Sequence, residues 1–121
     1  MATFSKELLS GSSQGRGILV AATATPGTTI HATGTSATIE DEIWLYAVNS
    51  SASGVKLTVE FGGTTSPNDL IEFTVAAESG LYLIVPGLVL TGTGSVASTV
   101  RAFAATGSVI NIFGYVNRIT P

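Results

Sequence analysis

The residues able to do chemistry are few and scattered. His31 is the only histidine and there is no cysteine. Glu40-Asp41-Glu42 is the densest charge, and Asp69, Glu72 and Glu78 follow at wide spacing. A nucleophilic site built on His31 needs a serine or threonine beside it and an orienting carboxylate. Hydroxyl residues occur throughout, so they single nothing out, and there is no G-x-S-x-G strand-turn-helix context. His31 is therefore expected to be a loop or interface residue rather than a catalytic one. Consecutive side chains of an extended chain point to opposite faces. Glu40 and Glu42 then share one face and Asp41 takes the other, too few oxygens on either side for a hard cation. The trio reads as a negatively charged strand entrance that discourages edge pairing. No metal, no cofactor and no enzymatic activity are expected.

Other motifs are equally bare. Gly62-Gly63 and Gly92-x-Gly94 precede no helical pattern, so they are not phosphate loops. Asn49-Ser50-Ser51 fits the N-glycosylation pattern, but Met1–Ser10 has no basic-then-apolar leader, and export by the usual route is not expected. The longest apolar run, Leu81–Leu90, is about half a membrane span and contains Pro86-Gly87. The chain is expected to be soluble, with no membrane partner.

The elements that would hold these residues are strands. Ile43–Val48 is apolar on both alternating faces. Val55–Phe61 sets Val55, Leu57, Val59 and Phe61 against Lys56, Thr58 and Glu60. Joined by the polar Asn49–Gly54, they read as a buried central strand paired to a half-exposed neighbour. Further strands are expected at Ile18–Thr23, Thr29–Thr33, Leu70–Val75, Leu81–Val85, Thr99–Ala105 and Val109–Val116. Turns fall at Thr25-Pro26-Gly27-Thr28, at Ser66-Pro67-Asn68-Asp69 (type I) and at Thr106-Gly107-Ser108. Leu81–Val85, apolar on both faces, reads as a second central strand. Gly114 marks a bulge or a close backbone approach.

The 121 residues make one domain. The expected fold is all-β: an antiparallel sandwich of about eight strands, jelly-roll or immunoglobulin-like, over residues 17–121. Residues 1–16 are expected to be an extended N-terminal arm, with one helical turn open to Ser5–Leu9. Deleting the arm is expected to leave a folded domain.

Charged residues are only 11% of the chain, against 45% hydrophobic, and the net charge is −3. The basic residues Lys6, Arg16, Lys56, Arg101 and Arg118 are dispersed, which excludes a counterion-displacing nucleic-acid face. So little charge is consistent with a Thr/Ser-rich strand surface, or with a surface covered by other copies or partners. The residues assigned to such an interface are Phe4, Leu8, Leu9 and Arg16 of the arm, with Trp44 and Tyr46. The other aromatics are expected in the core.

Several segments together resemble a family of small tailed-bacteriophage virion proteins, often encoded near the major capsid protein. They are Leu8–Arg16, Val20–His31, Asp41–Asn49, Glu60–Thr65 and Gly114–Ile119. The resemblance implies a virion structural protein assembled in the host cytoplasm, with the capsid surface favoured. It implies a decoration or auxiliary protein contacting the major capsid protein or other virion proteins, as a homo-oligomer with a trimer favoured. The alternative is a tail or fibre component, or a sandwich that binds host glycans.

Overall fold

The computed structural model describes residues 1–121. It contains nine strands and no helix: β1 Thr3–Leu8, β2 Ile18–Val20, β3 Thr28–Ala32, β4 Glu40–Asn49, β5 Val55–Phe61, β6 Leu70–Val75, β7 Tyr82–Leu90, β8 Thr99–Ala104 and β9 Ile110–Thr120. A five-stranded sheet runs β1-β9-β4-β7, with β2 also on β9, and a four-stranded sheet runs β3-β8-β5-β6. All pairings are antiparallel.

The pairs β2·β9, β3·β8, β4·β7 and β5·β6 nest around the single β5–β6 hairpin. Rolling that nested ribbon, so that successive pairs alternate between two sheets, is the jelly-roll topology. It decides between the two sandwiches that strand spacing left open.

Period-2 alternation places the core. Ile43, Leu45, Ala47, Val85, Ile110, Ile112 and Val116 of the larger sheet meet Ile30, Val55, Leu57, Val59, Val75, Val100, Ala102 and Ala104 of the smaller one. Each of these side chains is almost wholly out of water, a gain of about 1.5–3 kcal/mol for a Val, Leu or Ile.

β4 and β5 are not a hairpin. They lie in opposite sheets and face each other across the core. The Asn49 side chain shapes the crossing. Its Nδ2 donates to the Ser53 and Val75 carbonyls, and its Oδ1 accepts from the Ser51 N–H and hydroxyl. An alternating strand needs one wet and one dry face, and a sandwich arch meets that need as well as a hairpin does.

β7 is an edge strand, not a central one. It pairs with β4 alone, and its register with β4 shifts twice, between Ile43 and Trp44 and between Leu45 and Tyr46. The turn expected at Ser66–Asp69 closes one residue later, where the Pro67 carbonyl accepts from the Leu70 N–H. Ser66–Pro67 and Thr25–Pro26 are cis.

Residues 1–16 are not an extended free arm. Thr3–Leu8 is strand throughout, laddered to Leu8↔Tyr115 through Thr3↔Thr120, so no helical turn forms at Ser5–Leu9. Leu9 is 2% exposed in the core. β1 and β2 continue one another along β9, and Ser10–Gly17 loops between them over β3, where the Gly11 N–H donates to the Ile30 carbonyl. Deleting 1–16 would strip a six-residue ladder and a core leucine, so it is expected to cost stability even though β2–β9 keep the nested pairs.

Candidate functional site

Two of the side chains with catalytic potential, His31 and Asp41, meet in a buried clasp at one end of the sandwich. His31 of β3 and Asp41 of β4 are each 1% exposed. Asp41 shares the parity of Ile43 and Leu45, so its carboxylate enters between the sheets. Arg118 of β9 approaches it in fork geometry, with Nε donating to Oδ1 at 2.8 Å and Nη2 to Oδ2 at 3.0 Å. The Ser10 N–H donates to His31 Nδ1 at 3.0 Å. That acceptor assignment puts the ring proton on Nε2, which donates to Asp41 Oδ2 at 2.8 Å. Ser10 Oγ in turn accepts from the Ala32 N–H.

This geometry ties the β1–β2 loop and β3 to β4 and β9. Both imidazole nitrogens are occupied, so the ring offers no lone pair to a hydroxyl. His31 is not the loop or interface residue expected; within the chain it is a buried group with both ring nitrogens hydrogen-bonded. Asp41 is likewise no part of a solvated entrance charge. The missing partner, Arg118, lies 77 residues away in sequence. The available signal was Asp41's parity with the apolar side of β4, which requires a buried carboxylate to find a cation or donors.

Burial alone would raise the Asp41 carboxyl. The hydrogen bonds from Arg118 and His31, with the Arg118 charge, outweigh it and hold the group below its ordinary 3.8. The folded state then binds fewer protons than the unfolded chain in the acid range. The stabilisation is complete above the ordinary carboxylate range and is lost as pH falls through that range towards the depressed folded value. Urea midpoints measured between about pH 6 and pH 3 should fall steeply for the native chain and less for Asp41→Asn.

A second buried carboxylate was also expected on a wet face. Glu60 of β5 is 1% exposed and Thr58 4%. Glu60 accepts from the Thr25 hydroxyl and, at 2.7 Å, from the Gly27 N–H. The β2–β3 loop thus covers the outer side of β5, and Glu60 satisfies two of its polar groups. The remaining outer face of the smaller sheet is mixed, with Lys56 and Glu72 paired at 2.9 Å and Phe103 and Leu70 partly exposed among polar neighbours.

The outer face of the larger sheet is different. Antiparallel sheets that face water on one side normally turn polar residues outward. Here the outward row across β1, β9, β4 and β7 is Leu8, Tyr115, Trp44 and Pro86. Neighbouring rows bring Phe113, Tyr46 and Leu83, then Phe4 and Ile119. The Trp44 and Tyr115 rings are parallel to within 11°, with centroids 6.2 Å apart. Trp44 packs on Gly87, where an added Cβ would sit 2.9 Å from the indole. Trp44 Nε1 and Asn117 Nδ2 both donate to Glu42 Oε1, which lowers the Glu42 carboxyl, the Asn117 bond contributing most. Lys6 Nζ lies 4.8 Å from the Tyr115 ring centroid, within cation–π range.

The expected interface residues divide on this map. Phe4 and Leu8 are exposed on the β1 margin of this face, and Trp44 and Tyr46 are half-buried near its centre. Leu9 belongs to the core and cannot reach a neighbour. Arg16 lines an open depression of about 530 Å³ with Ser13, Gly17, Asn111 and Phe113, beside the same face. Sequence reasoning assigned Tyr115 and Phe113 to the core; their parity opposite Ile112 and Val116 puts them outside. No group of three or more His, Cys, Asp or Glu is placed to hold a metal ion. No helix is long and apolar enough to cross a membrane. Comparison with known proteins finds no matching family model, no matching curated protein and no matching solved structure.

Proposed function

We propose that the chain is a structural protein of a tailed-bacteriophage virion, a decoration or auxiliary protein that adheres to the capsid surface. The observation that carries the adhesive part is the outer face of the five-stranded sheet. It presents Phe4, Leu8, Trp44, Tyr46, Phe113 and Tyr115 where a free sandwich would carry charge. The virion part rests on the resemblance of Leu8–Arg16, Val20–His31 and Asp41–Asn49 to small phage structural proteins. Aromatic anchors flanked by a few polar groups are the usual composition of an interface centre. Repetition of a modest contact over a shell multiplies its strength through avidity.

The test is occupancy on purified particles. Tyr46→Lys is expected to weaken binding to undecorated heads by at least about 100-fold, because it buries an unpaired charge at the contact centre. Tyr46 is half-exposed, so the unfolding midpoint should move little by comparison. Absence of the chain from virions, or undiminished binding of the variant, would overturn the reading.

A second reading has its own observation. Two parallel aromatic rings beside Glu42 and Asn117 suit stacking against a sugar, as in a tail or fibre module that binds host glycans. Copy number separates the two. A decoration protein is present at a stoichiometry matching the shell lattice, and a tail component at a few copies. Retention on a glycan array would favour the second reading.

A further inference from the structure

The sandwich has four open strand edges, and three are guarded by charge or by a covering loop. β1 carries Lys6 and Glu7. β3 is short and bulged, and the Ser10–Gly11 loop lies over it, accepting from the Ala32 N–H and donating to the Ile30 carbonyl. β6 carries Glu72, paired to Lys56. Charges, bulges and covering loops are the devices by which soluble sheets prevent edge-to-edge association. β7 has Pro86 and the two irregularities beside it, but no charge and no covering loop. No Asp, Glu, Lys, Arg or His occurs from Ser79 to Val100. Leu81, Tyr82, Leu83, Leu88 and Val89 are each between 41% and 59% exposed along this strand. Phe73 of β6, packed on Tyr82 with centroids 4.8 Å apart, extends the apolar strip onto the smaller sheet.

We infer that the β7 edge is a self-association surface, on which the β7 strand of a second copy pairs antiparallel about a two-fold axis. The occupant is a second copy for three reasons. An uncharged strip offers a charged partner nothing to pair with, and it meets itself without like-charge repulsion despite the net charge of −3. Two identical strands related by a two-fold axis normal to the sheet are antiparallel, the pairing this sheet already uses. An axis near Val85 sets Leu81 opposite Val89 and Tyr82 opposite Leu88, so all five exposed side chains are covered. Those five leave roughly 450 Å² open per chain; with Phe73, Ile71 and the strand backbone, the pair buries about 1,200 Å², the lower bound for a specific interface. Pro86 has no N–H and lies near the axis, so side-chain packing contributes more than the ladder does. The contact is therefore a moderate, concentration-dependent one. It builds two-fold assemblies rather than the trimer the resemblance favours, and it does not depend on the virion reading.

Sedimentation velocity on the full chain, from about 1 to 200 µM, tests this. A reversible monomer–dimer equilibrium is expected. Leu83→Lys and Val89→Lys should each raise the dimer dissociation constant at least about 30-fold, lysine being the residue that natural edges use. Leu19→Lys, on the opposite edge, should leave it unchanged. The native chain has no cysteine, so a Leu81→Cys/Val89→Cys variant should form disulfide-linked dimers under oxidation and revert on reduction. That readout stands even where a lysine variant fails to fold. A chain that is monomeric throughout, an oligomer insensitive to both lysines, a persistent trimer, or no covalent dimer would each overturn the inference. Failure of Tyr46→Lys to affect particle binding would not, because sedimentation reads the β7 contact in the absence of particles.

Discussion

Asp41→Ala is expected to lower the unfolding free energy by about 3–5 kcal/mol, the cost of breaking a buried ion pair from one side. Three hydrogen bonds end on this carboxylate, two from Arg118 and one from His31. Without it, the buried Nε2–H of His31 has no acceptor, a desolvation cost of about 1–3 kcal/mol by itself. The Arg118 guanidinium keeps some access to water, since its side chain is 30% exposed, so its share lies below that of a fully enclosed cation. Asp41→Asn should fall between the variant and the native chain. Its amide oxygen still accepts, but its NH₂ faces two sets of donors. In a domain of this size the alanine variant should melt about 10–20 °C lower. Urea unfolding with an unchanged m-value would confirm that the loss is one of stability rather than compactness. A loss below about 1 kcal/mol would mean that the clasp does not hold the sheets together.

The strand map was largely legible because alternation and turn chemistry are local. Val55, Leu57 and Val59 point inward as their spacing requires, and Ile71, Phe73 and Val75 turn one face to the core. Pairing was not legible. A five-residue polar connection serves a hairpin or a sheet-to-sheet arch equally well, and only the nested ladder order distinguishes them. β7 misleads for a related reason. A strand apolar on both faces is ordinarily central, and here the outward apolar residues lie on an open edge. The clasp shows the limit in another form. His31 and Asp41 are ten residues apart, but Arg118 enters only through the β4–β9 register, which no local pattern encodes. The outer aromatic face was half visible. Trp44 and Tyr46 are expected at an interface and Phe113 and Tyr115 in the core, although a parity opposite to that of Ile112 and Val116 places the latter two outward.

Gly114→Ala should be among the most damaging single-methyl additions in the chain, at about 4 kcal/mol or more. Gly114 stands opposite Leu45 where β9 crosses β4. An added Cβ would lie 2.0 Å from the Trp44 carbonyl oxygen and 3.1 Å from its carbonyl carbon. Backbone cannot move aside as a flexible side-chain tip can, so the two strands must part or shift register. A one-residue slip would carry every core residue of β9 to the outer face. The same methyl at Gly34 meets no atom within 4 Å and no left-handed backbone. Gly34→Ala should therefore be neutral, or stabilising by up to about 1 kcal/mol through the unfolded chain. Side-by-side urea titrations compare the two directly. Comparable losses at both sites would contradict the close β4–β9 approach. That approach also sets Trp44 against Tyr115, so Gly114→Ala should disturb the Trp44 fluorescence of whatever folded fraction survives, and Gly34→Ala should leave it unchanged. One missing methyl group thus couples the central ladder of the larger sheet to the aromatic surface it presents.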